Sequence, residues 1–200
     1  MRVREVGEGD VFALGGRTFR VLETDGHDRY HVSYLEVETG RLFLGDVVLA
    51  TPVPLSPWHG DSAGQWLRSV RRVEELGEGQ GEDARALGVR AVRIIPGHGM
   101  PSTLVAPSAA RARNIFLKQF EAVRSALGDG RPTHPVEAVE GMLGDGRGRN
   151  AQRTSALVST GLQILLELAE REAVERLDDG LFVAHGPVPP WEGIWPEGAK

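Results

Sequence analysis

The period of the hydrophobic residues changes near residue 62, and this change limits the folds that the chain can adopt. Before that point, short alternating segments separated by glycine-containing turns predict β-strands joined by hairpins. These segments are Val11–Leu14, Thr18–Leu22, His31–Val37 and Arg41–Leu44. A loop with three prolines follows over residues 51–60. From Ser62 onward, apolar residues recur at steps of three and four, which predicts an amphipathic helix with Trp66 in the core.

The remainder of the chain contains one buried strand and is otherwise mainly helical. The strand is predicted over residues 89–95 and runs directly into Pro96–Gly97–His98–Gly99. A short helical turn near 83–87 precedes the strand. Three helices follow it, over 108–127, 133–143 and 150–170, and Ser108 is predicted to cap the first of them. A hairpin over 173–183 comes last. Three helices followed by a hairpin is the order of a winged helix, so the fold class that we predict is α+β.

Composition excludes several classes of protein. The 200 residues include no cysteine, which excludes disulfides, thiolate nucleophiles and cysteine-based zinc sites. No apolar run reaches the roughly 20 residues needed to span a bilayer, and we expect a cytoplasmic protein. The net charge of −5 disfavours a broad nucleic-acid surface. Residues 111–176 carry ten Lys or Arg against nine Asp or Glu, so the predicted winged helix lacks the basic face of a DNA reader.

Three side chains that can bind metal follow predicted strands. His27 follows the second strand, Asp46 follows the fourth, and His98 follows the buried strand, each beside a glycine. Residues at strand ends are fixed by the sheet and remain reachable from solvent, as metal ligands must be. Imidazole nitrogen and carboxylate oxygen suit zinc and related divalent ions. The alternative is that these residues only cap strand ends.

These motifs resemble a known family. The run from Phe19 to Tyr34, then Leu42–Asp46, then Ile95–Gly99, looks like the later half of a metallo-β-lactamase-fold hydrolase, over residues 5–105. Residues 107–185 are similar to the winged-helix region that follows this fold in one branch. The resemblance implies part of an αββα sandwich over 1–106, a winged-helix-like domain over 107–185 that frames the active site, and a tail over 186–200.

The resemblance also implies roles for individual residues. His27 matches a ligand of the first metal, Asp46 matches the aspartate that bridges both metals, and His98 matches a ligand of the second. His31 matches a second histidine that is usually not a ligand, so we expect it to be structural. The implied chemistry is zinc-dependent hydrolysis of a small-molecule ester or thioester. The chain departs from the family at Asp25, where proline is usual, and at Asp28, where threonine is usual; both add negative charge beside His27.

A larger departure is that the His-x-His-x-Asp-His motif of the family occurs nowhere in the sequence. Each metal position then keeps one histidine and the shared aspartate, whereas a catalytic zinc ion normally has about three protein ligands. An apolar sheet face that includes Val21, Val32, Leu42 and Ile94 would also need a cover. We therefore expect a complementary polypeptide, a homo-oligomer or a shortened gene product. Three functions remain open: a metal-dependent hydrolase, a non-catalytic interaction protein that retains the fold, and, ranked last, a winged-helix DNA binder.

The other histidines and the tail have weaker signals. His59 and Asp61 would line a substrate entrance or lie in a plain surface loop. His134 is expected to start a helix, and His185 to belong to the tail. The tail is rich in proline and tryptophan and is expected to pack loosely, with Trp191 and Trp195 covering apolar surface or contacting a partner.

Overall fold

A five-stranded mixed sheet forms the N-terminal part of the computed structural model, which describes residues 4–49, 55, 62–143 and 151–195. The strands lie in chain order, the first four are antiparallel, and the fifth is parallel to the fourth. They are β1 (Val11–Leu14), β2 (Arg17–Glu23), β3 (Val32–Glu36), β4 (Arg41–Gly45) and β5 (Arg93–Pro96). The four hairpin strands predicted from the sequence are therefore confirmed.

The described residues also form seven helices. They are α1 (Ala63–Glu78), α2 (Gly81–Leu87), α3 (Val105–Ala126), α4 (Pro135–Ala138), α5 (Glu140–Leu143), α6 (Ala151–Glu170) and α7 (Trp191–Ile194). A two-stranded hairpin, β6 (Glu175–Arg176) and β7 (Phe182–Val183), follows α6. None of the helices in the described ranges has the length and apolar character needed to cross a membrane.

Two boundaries differ from the prediction. The strand predicted over 89–95 is β5, which begins only at Arg93, because the amide of Ala91 donates to Leu76 and that of Val92 donates to Gly40. Ser108 does not cap α3. The helix begins at Val105, and the Ser108 amide already donates to the carbonyl of Leu104 inside it.

The predicted helix over 133–143 is two single turns, α4 and α5, separated by Val139. His134 starts the first turn as predicted, because its Nδ1 accepts a hydrogen bond from the Val136 amide at 3.2 Å. Each strand of the following hairpin is only two residues long, and Gly180 takes a positive φ in the predicted Asp-Gly turn. The described order is compatible with a winged helix, and that assignment stays a prediction.

The predicted apolar face does not exist as one face. The register pairs Leu35 with Leu42 and Leu42 with Ile94, and these side chains lie in the main core beneath α1. Val21 pairs with Tyr34, and Val32 lies two residues before Tyr34, which places both valines on the opposite face. Grouping the four was wrong because alternation sets only the relative side within one strand, whereas pairing register decides which sides coincide.

Side chains from both sides of residue 106 share the buried core. Val70 and Val73 of α1 pack with Phe116 and Phe120 of α3, and Leu165 of α6 belongs to the same cluster. The proposed domain boundary near 106 stays a prediction.

The tail packs into this core, so the expectation of loose packing is wrong for its described part. Trp191 and Trp195 stack at 4.0 Å between ring centroids, and both contact Phe120 edge to face. Trp195 is 6% exposed. The two tryptophans therefore cover apolar surface of this chain, which resolves that alternative.

Candidate metal centre

The three predicted ligands lie at one edge of the sheet. Because β2, β4 and β5 run in the same direction, their C-terminal ends meet at this edge. His27 lies in the loop after β2, Asp46 follows β4 directly, and His98 lies two residues beyond β5. The hairpin order of the sequence therefore brings together residues that are up to 71 positions apart, the separation of His27 and His98.

Both histidines approach the same carboxylate oxygen. His98 Nε2 lies 3.4 Å from Asp46 Oδ2, and His27 Nε2 lies 3.9 Å from that atom. The His27 and Asp46 side chains are 20% and 26% exposed, whereas His98 is 80% exposed. The convergence expected from the sequence is therefore present, with Asp46 at its centre.

The donor atoms of these three side chains are of the types that bind zinc, but there are too few of them for a complete set of ligands. Two ligand atoms that each lie about 2.0 Å from a tetrahedral metal ion are about 3.3 Å apart. The Nε2–Oδ2 separations of the His98–Asp46 and His27–Asp46 pairs are close to this value. Within the described residues, however, no group of three or more His, Cys, Asp or Glu side chains has the geometry to hold a metal ion. The arrangement is two donor pairs that share Asp46. We therefore derive no catalytic step from these residues alone.

Asp46 and the β5 turn are held tightly together. The Gly97 amide donates to the Gly45 carbonyl at 2.7 Å, and a Cβ at Gly97 would lie 2.5 Å from Asp46 Oδ1. Asp46 Oδ1 itself is buried and has no hydrogen-bond partner in the described structure. A buried carboxylate oxygen without a donor is unfavourable, and the two histidines approach the other oxygen, Oδ2.

Helix α1 holds the loop that carries His27. The Ser69 hydroxyl donates to the Asp25 carbonyl at 2.7 Å, and the Ser62 amide donates to the Gly26 carbonyl at 2.9 Å. Gly26 has a φ of 122°, and any Cβ there would overlap the backbone of Trp66. Only glycine therefore allows the His27 loop to approach the helix this closely.

The start of α1 is held in turn by α6. The carboxylate of Glu167 accepts hydrogen bonds from the Ala63 amide and from Gln163 Nε2, and it is 6% exposed. Burial raises the pKa of Glu167, and the hydrogen bonds from Gln163, Ala63 and Gly64 oppose that effect. The α6 helix thus supports the helix that positions the His27 loop.

His31 is structural, as predicted. Its Nδ1 lies 2.8 Å from Thr24 Oγ1, and the Thr24 amide donates to the His31 carbonyl at 2.9 Å. Burial lowers the pKa of His31, and the neighbouring His27 lowers it further. A neutral imidazole is therefore favoured beside the candidate ligands.

Asp25, one of the two departures from the family, faces a polar recess with Glu23. Burial raises the pKa of its carboxyl, the charge of Glu23 raises it further, and the amides of His31 and Tyr30 oppose the shift. The other departure, Asp28, is exposed.

The remaining candidates lie elsewhere. His59 and Asp61 are outside the described residues. His185 Nε2 lies 2.6 Å from Glu175 Oε2, and His134 caps α4. Trp66 is 2% exposed, as predicted for a core residue, and its indole donates to the Val47 carbonyl.

Sequence reasoning missed the residues that position the ligands. Thr24, Ser69 and Glu167 carry no local motif, because each acts on a segment that is distant in the chain. The local signal was a glycine directly before each candidate ligand, at Gly26, Gly45 and Gly97.

Comparison with known proteins finds relatives with a similar fold. Residues 2–79 match the family model of the metallo-beta-lactamase superfamily. A metallo-beta-lactamase family protein of Thermus thermophilus superposes on 92% of this chain and 55% of its own, with a TM-score of 0.69 and 23% identity. A beta-lactamase domain protein of Burkholderia ambifaria covers 92% and 52%, with a TM-score of 0.67 and 26% identity. Residues 2–79 are thus similar to the metallo-beta-lactamase superfamily, and the fold of the described residues is similar to that of the two solved structures.

Curated relatives are more distant and partial. A lactamase-like protein of Pestalotiopsis microspora is 30% identical over 60% of this chain and 35% of its own length. A hydroxyacylglutathione hydrolase of Rhodospirillum rubrum is 37% identical over 36% of this chain and 28% of its own. An atrochrysone carboxyl ACP thioesterase of Aspergillus fumigatus is 30% identical over 36% and 16%. The chain thus spans about a third or less of these relatives and about half of the two solved structures.

Proposed function

We propose that this chain provides part of the zinc centre of a hydrolase that cleaves esters or thioesters. The observation that carries the proposal is the approach of His27 and His98 to one oxygen of Asp46, at distances of 3.9 and 3.4 Å. In this assignment, Asp46 would be a ligand shared by two metal ions, one of which His27 would also hold and the other His98. Two separate donor pairs, in place of one group of three, are the arrangement that a bridging carboxylate produces.

The names of two relatives favour a thioester substrate. One is a hydroxyacylglutathione hydrolase and the other an acyl-carrier-protein thioesterase. A divalent ion in such a centre supplies a bound water of lowered pKa and polarises the scissile carbonyl. The residues of this chain would hold the ion, and the α1 contacts to Asp25 and Gly26 would fix the His27 loop.

The ligand number requires donors beyond those that the described residues provide. Each pair offers two ligands, and a catalytic zinc ion normally has about three from protein. The second face of the sheet offers a place for the segment that supplies them. Phe12, Phe19, Tyr34 and Phe43 form a partly exposed aromatic cluster there, with ring centroids 5.4–5.9 Å apart. We propose that a complementary polypeptide segment bearing further histidine and aspartate ligands packs on this face.

Metal content and hydrolysis test the zinc assignment. The full chain, co-expressed with a segment that carries a His-x-His-x-Asp-His motif, is loaded with Zn²⁺, dialysed, and analysed for bound metal and for cleavage of an S-hydroxyacyl glutathione thioester. We expect retained zinc that is lost in His98→Ala and kept in His185→Ala, a matched histidine variant far from the sheet edge. Cleavage is expected once the missing ligands are supplied by a co-expressed segment with a His-x-His-x-Asp-His motif. Equal zinc in all three proteins would contradict the assignment.

A second function, a non-catalytic interaction protein, is favoured by the lack of a group of three metal-binding side chains among the described residues. Size-exclusion chromatography with light scattering tests whether another polypeptide covers the aromatic face. We expect a dimer, or a complex with the co-expressed segment, that Phe19→Arg disrupts. A compact monomer that binds no such segment would count against a covered face. A stable complex without zinc or thioester cleavage would establish the second function.

A further inference from the structure

The ring of His31 lies between the two segments that carry His27 and Asp46. Its Nδ1 is hydrogen-bonded to Thr24 Oγ1 at 2.8 Å, on the side of the His27 loop. Its Nε2 faces Gly45, because a Cβ built on Gly45 would overlap that nitrogen. One imidazole therefore touches the residue that begins the His27 loop and the residue directly before Asp46.

The Thr24 side of this contact is buried and fully hydrogen-bonded. Thr24 is 1% exposed, and its hydroxyl lies 2.7 Å from Ser33 Oγ, which is itself completely buried. Because a hydroxyl has a single proton, Thr24 donates to one neighbour and accepts from the other. The Thr24 amide also donates to the His31 carbonyl, so main chain and side chain together close the loop over residues 25–30.

The Gly45 side of the contact depends on glycine. Gly45 has a φ of 54° at the irregular end of β4, and its carbonyl accepts from the Gly97 amide. The turn that leads to His98 is thus tied to the residue against which His31 rests. His31, Gly45 and Gly97 form a continuous connection beneath the three candidate ligands.

We propose that His31 is a positioning residue that sets the distance between the His27 loop and Asp46. Its ring bulk holds the Gly45 turn, and its hydrogen bond to Thr24 holds the loop. The functional part of this inference, an effect on metal binding, rests on the proposed function. The geometric part does not, and it is tested separately.

Two variants separate the two contacts in the ¹⁵N-labelled full chain. His31→Asn keeps a hydrogen-bonding group near Thr24 and removes the bulk beside Gly45, so we expect the Asp46 amide resonance to shift more than that of His27. His31→Phe keeps the bulk and removes the hydrogen bond, so the opposite order is expected. His134→Asn is the matched control, because asparagine also caps a helix and this site is remote. Shifts no larger than in the control would overturn the proposal.

A double variant tests the contact with Gly45 directly. Gly45→Ala alone is expected to displace His31 and to lower the melting temperature. In the His31→Asn background the overlap is gone, and only the strain of the positive φ remains, so the same substitution should cost less. Equal effects of Gly45→Ala in both backgrounds, or an unfolded His31→Asn protein, would assign His31 a general structural role and overturn the proposal.

Zinc titration provides the functional readout. Loss of a residue that orients ligands typically weakens metal binding about 10–100-fold, and we expect a weakening in this range for His31→Asn and none for His134→Asn. Unchanged affinity would overturn the effect on metal binding. If the unsubstituted chain binds no Zn²⁺ even with the co-expressed segment, the proposed function fails, and the resonance shifts alone decide the role of His31.

Discussion

The two faces of the sheet differ in how this chain covers them. On one face Leu35 and Leu42 are fully buried, and helices supply the other half of that core. On the other face Val21 is buried, but Leu14 is 66% exposed and the surrounding aromatic rings are only partly covered. One face is a completed core, whereas the other retains apolar surface of the kind that proteins use for contacts.

The largest expected effect is the difference in the free energy of unfolding between two variants, each with one substitution on one face of the sheet. Leu42→Ala removes a fully buried side chain and should lower the free energy of unfolding by about 2–5 kcal/mol. Leu14→Ala, on the other face, should change it by less than about 0.5 kcal/mol, because the side chain is already exposed. Urea denaturation of both variants measures the difference. A similar loss at Leu14 would show that an associated chain already covers this face.

A smaller effect is expected at Glu167, on the covered side. Glu167→Ala would leave the Ala63 amide and Gln163 without this acceptor, at a cost of about 1–3 kcal/mol. Glu167→Gln keeps an acceptor and cannot titrate, so it serves as the matched control.

The pH dependence at Glu167 has a definite sign. Since burial raises the pKa of this carboxyl, its contribution to stability is complete below the ordinary pKa of glutamate and is lost as pH rises through the folded-state pKa. The stability of the natural chain relative to Glu167→Gln should therefore fall as the pH rises from about 4 to 8. Denaturation curves at several pH values test this, and a relative stability that rises instead would contradict the assigned burial effect.

The smallest effect is expected at Ser69, where α1 meets the His27 loop. Ser69→Ala removes the hydrogen bond to the Asp25 carbonyl and should cost about 1 kcal/mol. The amide resonances of residues 25–28 should shift, because the loop loses one of its two bonds to the helix. Ser125→Ala, at the exposed end of α3, is the control and should leave those resonances unchanged. Unshifted loop resonances in Ser69→Ala would show that Gly26 alone fixes the loop.

Local patterns in the sequence predicted β1 to β4, most of the helices, and the strand ends near which His27, Asp46 and His98 lie. Alternation with glycine turns predicted β1 to β4, and the three- and four-residue spacing predicted α1, because these periods reflect backbone geometry that each segment adopts by itself. His27, Asp46 and His98 could be found because each lies within four residues of the end of a strand.

Tertiary structure decided the contacts that depend on more than one segment. Register placed Val21 and Val32 on one face of the sheet and Leu42 and Ile94 on the other face. No single strand could indicate this. The packing of Trp195, the support of α1 by Glu167 and the contact of His31 with Gly45 join residues that are distant in the chain. The sequence by itself determines which segments form strands and helices, and the physical reason for its limit is that local periodicity contains no information about the partner that will lie against each face.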